Sequence, residues 1–431
     1  MIFLFKRTTI CTTVLTRQIL IILGTALPLV GHATSQESAQ QIEQLRLEVN
    51  ALKALVQQYS QAGVKPDTSG QAAPVPGTDT GQPASKSLKL TTRSGAEFQL
   101  YGFIRGDSSY QFKGGNGIFN RIHKVDLNGQ EVHKDRFYNT VTTTRFGLDF
   151  KTPLEGQQIG GKLEVDFRGG ANNDTLRLRH VYLTYNNWLF GQTTSSFLAT
   201  DLQPDMLDFG SPLGIGTFRT PLVRYNNSFT AGPEYFISLE KGRDENRLPA
   251  LTGKLKYDFE NGSVSTRAMV QQLRIADANN KKEVSWGAAI GASYQASPKL
   301  KLMADYSHVK GDDRFLLYTN SAYLLDNTKT QVYLNEFDSF TTGLSYQLTP
   351  KIKATLGYGA MFANDNNGFA QYDLVSDQNQ NKSLQQGWLY MMYNPVTPVT
   401  FGLEYIYGER KTFNNQKGID NRLEAMVRYN F

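Results

Sequence analysis

The 431-residue chain has a single cysteine, Cys11, and it lies in a segment expected to be removed. A disulfide scaffold and a thiolate metal site are therefore excluded. Charge is scarce: Asp, Glu, Lys and Arg make up 19% of the chain, against about a quarter in soluble domains. No Lys/Arg block suggests nucleic acid. After residue 33 no apolar run approaches the roughly 20 residues that a membrane-spanning helix needs, which excludes a polytopic helical membrane protein. Beyond residue 33 the histidines are His123, His133, His180 and His308. None shares a metal-ligand spacing with another, and no Ser–His arrangement or Gly-rich phosphate loop stands out. Catalysis, a metal and a cofactor are all unexpected.

What the chain does have is 22 Tyr, 25 Phe and 38 Gly, ordered in distinct segments. Residues 1–33 read as a secretory signal: Lys6, Arg7 and Arg17 form the basic region, Ile19 to Val30 the apolar stretch, and Gly31 and Ala33 the small residues before the cut. Its removal lowers the formal charge from +6 to +3. Residues 34–60 carry a heptad, with Ile42, Val49 and Val56 at a and Leu45, Leu52 and Tyr59 at d. A short periplasmic coiled coil is expected. β-Branched a positions with Leu at d lean toward a dimer, while Leu47 and Leu55 widen the stripe and leave room for a trimer. Residues 61–90 begin with a stretch rich in Gly, Pro, Ser, Thr and Ala that cannot form a core; they are read as a flexible linker.

From residue 91 to 431 the dominant signal is strict alternation. Leu163, Val165 and Phe167 share one face of their run, and Lys162, Glu164, Asp166 and Arg168 the other. Phe401, Leu403, Tyr405 and Tyr407 alternate with Gly402, Glu404, Ile406 and Gly408 in the same way. A soluble sandwich also alternates. Here, however, the strands run near the length that a tilted strand needs to cross a bilayer, and the apolar face ends in aromatic residues, as at membrane interfaces. Seven short turns, near residues 153–156, 186–187, 227–232, 260–262, 296–299, 348–351 and 394–398, alternate with eight longer polar connections. The expected fold is thus all-β: a 16-stranded antiparallel transmembrane barrel, closed because every backbone group in lipid needs a strand partner. Short turns on one side and longer loops on the other are the pattern of outer-membrane barrels of Gram-negative bacteria. Sixteen strands leave an aqueous lumen.

The runs YGFIRGD (Tyr101–Asp107), RLRHVYLTYNNWLFGQTTSSF (Arg177–Phe197) and PDMLDFGSPLGIGTFRTPLVRY (Pro204–Tyr225), with the closing VRYNF, carry a resemblance. The mature chain resembles the DcaP-like trimeric outer-membrane porins throughout. Trp188, Gly191, Gln192 and Phe197 stand at positions associated with that family. The resemblance implies a homotrimer in lipid that passes small organic anions, notably dicarboxylates and aromatic diacids.

The 193–219 segment is the candidate constriction loop. Its apolar residues, among them Met206, Leu207, Phe209, Leu213 and Ile215, suit inward packing, and it carries Asp205 and Asp208 with Arg219 near its exit. Arg145, Arg168, Arg177, Arg179 and Arg224 are the candidate lumen arginines. Guanidinium groups grip carboxylates bidentately and stay charged. The alternative is that they pair with Asp149, Glu164 and Asp166 to hold the wall. Arg177 and Arg179 share parity with the apolar Val181, Leu183 and Tyr185, a conflict that a bulge near His180 would resolve. The competing functional reading is an envelope tether or adhesin, in which the barrel only anchors a coiled coil that contacts periplasmic partners.

Overall fold

A computed structural model describes residues 88–431, apart from Ser94, Glu155, Ser211, Ala231, Leu317 and Tyr318. The signal, the heptad and the linker as far as residue 87 lie outside the described residues.

The described chain is a closed antiparallel barrel of 16 wall strands. Its first strand is Glu97–Lys113; the second comes in two pieces, Arg136–Thr140 and Arg145–Leu154. Gln157–Gly169, Thr175–Tyr185, Trp188–Thr194, Arg219–Ser228, Glu234–Glu240 and Ala250–Phe259 follow. Gly262–Ile275, Lys281–Ser297, Leu300–Lys310, Glu336–Thr349, Ile352–Ala363, Asn381–Tyr393, Val399–Thr412 and Lys417–Asn430 complete the wall. Each pairs with the next, and the last pairs back onto the first from Phe103↔Asn430 upward. The Phe431 N–H donates to the Gly102 carbonyl at 3.1 Å, and the Gly102 N–H to the Phe431 carbonyl at 3.2 Å, so the seam is stitched to the final residue. Leu88–Thr91, which begins inside the span read as linker, is a short strand paired with residues 97–100.

The alternation has the expected phase. Leu163, Phe401, Leu403, Tyr405 and Tyr407 are exposed on the outer face, while Glu164, Asp166, Glu404 and Arg422 are buried on the inner one. The outer ends of the strands carry Tyr185, Trp188, Tyr257, Tyr294, Tyr393 and Tyr429, an aromatic girdle on the short-turn side.

The wall is uneven. Trp188–Thr194 and Glu234–Glu240 have 7 residues each, whereas Lys281–Ser297 has 17. Seven residues at about 3.3 Å each, tilted by about 40°, stand only about 18 Å tall. The apolar belt of such barrels is about 25 Å. Beyond Val181, moreover, the edge of Thr175–Arg179 turned away from Gln157–Gly169 has no strand beside it among the described residues.

Three long connections, 114–135, 195–218 and 311–335, turn into the barrel. Ile122, Val125, Phe197, Leu198, Leu213, Phe315 and Leu316 pack with wall residues such as Met269, Val309, Phe337 and Met361 into one apolar cluster. The sequence reading took the first of these as a polar connection. Its Phe119, Ile122, Val125 and Leu127 are all buried. Other connections read as long prove short, because their strands run on: Phe413 to Gln416 is all that separates the last two strands.

Candidate functional site

The site is built by two irregularities on either side of the strand Gln157–Gly169. On one side, residues 141–144 break the second wall strand and switch its parity. Tyr138 and Thr140 point inward before the break, and Arg145 after it. Thr143 is buried there and donates to Asp107 at 2.6 Å. On the other side, the ladder steps from Glu164↔His180 to Val165↔Leu178, leaving Arg179 without a partner of its own. This bulge lets Val181, Leu183 and Tyr185 face outward while Arg177 and Arg179 face inward. The Gln192 side chain donates to the Leu178 carbonyl at 2.9 Å, capping the gap that the bulge opens. Gly191 lies in the left-handed region at φ 135°, and a Cβ there would come within 2.3 Å of the Val181 carbonyl.

Around this strand the arginines gather. Arg177 grips Asp166 with two parallel bonds, Nε–Oδ1 2.8 Å and Nη2–Oδ2 2.6 Å. Arg179 reaches Glu164 at 2.7 Å and Asp166 at 3.1 Å. Arg145 stands 3.6 Å from Glu164, which also accepts from the Tyr101 hydroxyl at 2.9 Å. The Arg168 guanidinium lies 5.2 Å from the centre of the Phe119 ring. Arg219 has no ion-pair partner among the described residues and feels the charges of Arg145, Arg177 and Arg179. Five arginines thus gather around Glu164 and Asp166, three more positive charges than these two carboxylates carry, with Asp208 also acting on Arg168. Arg177 remains 34% exposed, so the patch meets water.

Phe209, from the inward 195–218 loop, projects into this patch. Its ring centre lies 5.4 Å from the Arg105 guanidinium and 5.6 Å from those of Arg145 and Arg179. Phe119, from the first loop, is 6.2 Å from it. The loop that carries Phe209 is fixed to the wall at several strands. Asp201 pairs with Lys254 at 3.2 Å, and Asp205 with Lys353 at 2.7 Å. The Trp388 indole donates to the Asp205 carbonyl at 3.1 Å. Asp208 pairs with Arg422. Wall glycines let the loop backbone approach: a Cβ on Gly359 would sit 2.2 Å from the Leu213 carbonyl.

The expected residues therefore separate into groups. Arg145, Arg168, Arg177, Arg179 and Arg219 come together on one wall. Arg224 stands apart, donating to the Ser238 hydroxyl at 3.2 Å and to the Thr194 carbonyl, and ties neighbouring strands. Asp205 is tied to Lys353, whereas Asp208 pairs with Arg422, is only 4% exposed and also acts on Arg168 of the patch. Lys162, rather than an arginine, takes Asp149, at 2.8 Å. Sequence reasoning missed Arg105, Phe119, Arg422 and the lysines that hold the loop. Inward parity offers Arg105 and Arg422; nothing local marks Phe119.

Residues 81–431 match the family described as DcaP outer membrane protein. This chain belongs to the DcaP outer membrane protein family. The outer membrane channel DcaP of Acinetobacter baumannii is 38% identical, with a TM-score of 0.74 over 79% of this chain and 99% of that one. Two more distant folds are the anion-selective porin from Comamonas acidovorans, 14% identical with a TM-score of 0.52 over 78% of this chain and 100% of that one, and OmpT of Vibrio cholerae, 12% identical with a TM-score of 0.53 over 80% and 100%. Among curated proteins no match was found. Membership and fold make this chain a porin-type β-barrel of the Gram-negative outer membrane. Its homologues are channels rather than enzymes.

Proposed function

We propose that this DcaP-family barrel is a passive channel that prefers small organic anions, dicarboxylates and aromatic diacids among them, and that the inward third loop sets its constriction. The observation that carries this reading is the surplus of three positive charges around Glu164 and Asp166, which meets water at Arg177. A unit charge about 6 Å from a carboxylate is worth roughly 3 kcal/mol at an effective dielectric of 20, against about 0.7 in bulk water. The patch therefore matters most where the inward loop has displaced solvent. Arg177 and Arg179 are already paired, which keeps each anion site weak enough to release its guest. The anion preference named for the Comamonas porin is consistent with this reading.

The low wall supports a homotrimer. A rise of about 18 Å cannot span the apolar belt, and the edge of Thr175–Arg179, flanked by exposed Leu176 and Leu178, has no strand beside it among the described residues, with the Gln192 side chain capping the Leu178 carbonyl. A second copy on that side covers both. One solved form of the similarly folded OmpT is a trimer. Residues 34–60 would then form a coiled coil in the periplasm, tethered through the linker.

Single-channel recording in planar bilayers tests the channel. Steady current steps with a reversal potential on the anion side in a KCl gradient are expected. Cation preference would refute the arginine reading while leaving the porin intact, and silence in the bilayer would refute the channel itself.

A further inference from the structure

Arg422 sits on the inner face of the strand Lys417–Asn430 and is fully buried. Its guanidinium serves three elements at once. Nη2 donates to the Asp208 carboxylate of the third loop. Nη1 donates to the backbone carbonyl of Asn120 at 3.0 Å and to its side-chain oxygen at 3.1 Å, both on the first loop. Nη1 and Nε also lie 3.0 Å from Asp420 and Glu424 on its own strand.

The neighbouring wall strand adds Glu404, whose two oxygens accept the backbone N–H groups of Leu207 and Asp208 at 2.8 and 2.9 Å. From the next strand, Gln386 donates to Asp420 at 3.1 Å. One cation thus stands amid Asp208, Asp420, Glu424 and Glu404, all buried. Without it these four carboxylates lose the guanidinium they share, and a buried charge left unpaired is strongly destabilising. A guanidinium is the side chain able to do this, since its planar fork offers five donors at fixed angles.

Both loops carry their rings to the arginine patch: Phe119 from the first and Phe209 from the third. Whatever holds Asn120 and Asp208 in register also holds those rings beside Arg145, Arg168 and Arg179.

We propose that Arg422 is a positioning residue that couples the first and third loops, so that the two move as one body and the bore is set by both together. This rests on the channel reading above and adds a linkage which that reading does not require. Each arm of the latch can be weakened alone: Asn120→Ala removes the side-chain bond to the first loop and leaves the backbone one, and Asp208→Asn weakens the third.

The test is reciprocal, as coupling must be. A single reporter thiol is placed on the third loop by Met206→Cys in the full-length protein, with Cys11 in the removable segment, and its labelling rate with a hydrophilic maleimide is measured. Adding Asn120→Ala, which touches only the first loop's arm, is expected to speed labelling at residue 206 several-fold. Arg422→Gln should speed it further and raise single-channel conductance with added noise. Arg422→Lys keeps the charge but not the fork and should fail to restore the wild-type rate. If Asn120→Ala leaves labelling at 206 unchanged, or if Arg422→Lys behaves as wild type, the coupling is refuted, and anion preference would still stand on its own recordings. Should Arg422→Gln fail to fold, shown by loss of the heat-modifiable band on gels, the Asn120→Ala arm decides alone.

Discussion

The barrel has two unlike halves. From Arg145 to Glu240 most strands are short, and apart from Leu189, Leu222 and Phe236 their inner face is polar and partly wet. From Gly262 to Asn430 most strands are longer, and their inner face carries Met269, Val309, Phe337, Met361, Trp388, Ile406 and Met426, buried beneath loops. The same two-residue period thus serves two ends. In the first half it separates lipid from water. In the second it separates lipid from a protein core that fills part of the lumen. Strict polar–apolar alternation weakens where a loop is to be received, and the blurred strands mark the seat of the inward loops.

The largest effect should come from stripping the wet half. The triple variant Arg177→Ala, Arg179→Ala, Arg219→Ala leaves two arginines of the patch against two carboxylates. Reversal potentials should lose their anion preference, and succinate flux should fall far more than glucose flux. Equal losses of the two fluxes would mean that these residues shape the wall only.

The core half breaks differently. Gly359→Val puts a side chain where the Leu213 carbonyl now lies, so the third loop must lift away and conductance should rise with little change in ion preference. Gly387→Ala, whose nearest neighbours are 3.7 Å away, should be silent in the same recording. An unchanged conductance for Gly359→Val would show that the loop does not limit flow.

Glu164→Gln sharpens the contrast. It removes one of the two carboxylates, so anion preference should strengthen, while the loss of bonds from Arg179 and Tyr101 should lower the unfolding temperature. A weakened preference would mean that Glu164 serves chiefly to hold Arg145 and Arg179 in place.

The smallest effects should appear with pH, in opposite directions on two loops. Burial, with Arg121, Lys124 and Arg410 nearby, pushes His123 down to about 3. The first loop therefore keeps its stability above pH 6.5 and loses it progressively as pH falls toward 3. Burial pushes Asp313 up to about 6. Packing of the 311–335 loop is accordingly strongest below about pH 4 and weakens as pH rises through 6. Hydrogen exchange at Lys124 and Thr319 between pH 4 and 7 should show these opposite slopes, and Asp313→Asn should flatten the second.

Much of the fold was legible in the chain itself. Sixteen strands, the sidedness of their turns and the phase of Lys162–Arg168 all follow from alternation, because lipid on one face and water or protein on the other act on each residue in turn. The inward loop announced itself through apolar residues that had no other place to go. The bulge at Arg179 could be suspected from a clash of parity, but only the ladder with Glu164 and Val165 locates it.

Which charge meets which was decided in three dimensions. Asp205 and Asp208 sit on the loop expected to lie opposite the arginines, yet each is bound to a wall cation, Lys353 and Arg422, that no local pattern pairs with it. The first loop's inward turn was equally hidden, since its buried face packs against strands roughly 200 to 300 residues away in the chain. Periodicity is a local property and reports the environment of a strand. Ion pairing and loop docking depend on how the closed sheet brings distant segments within a few ångströms, and no local pattern encodes that closure geometry.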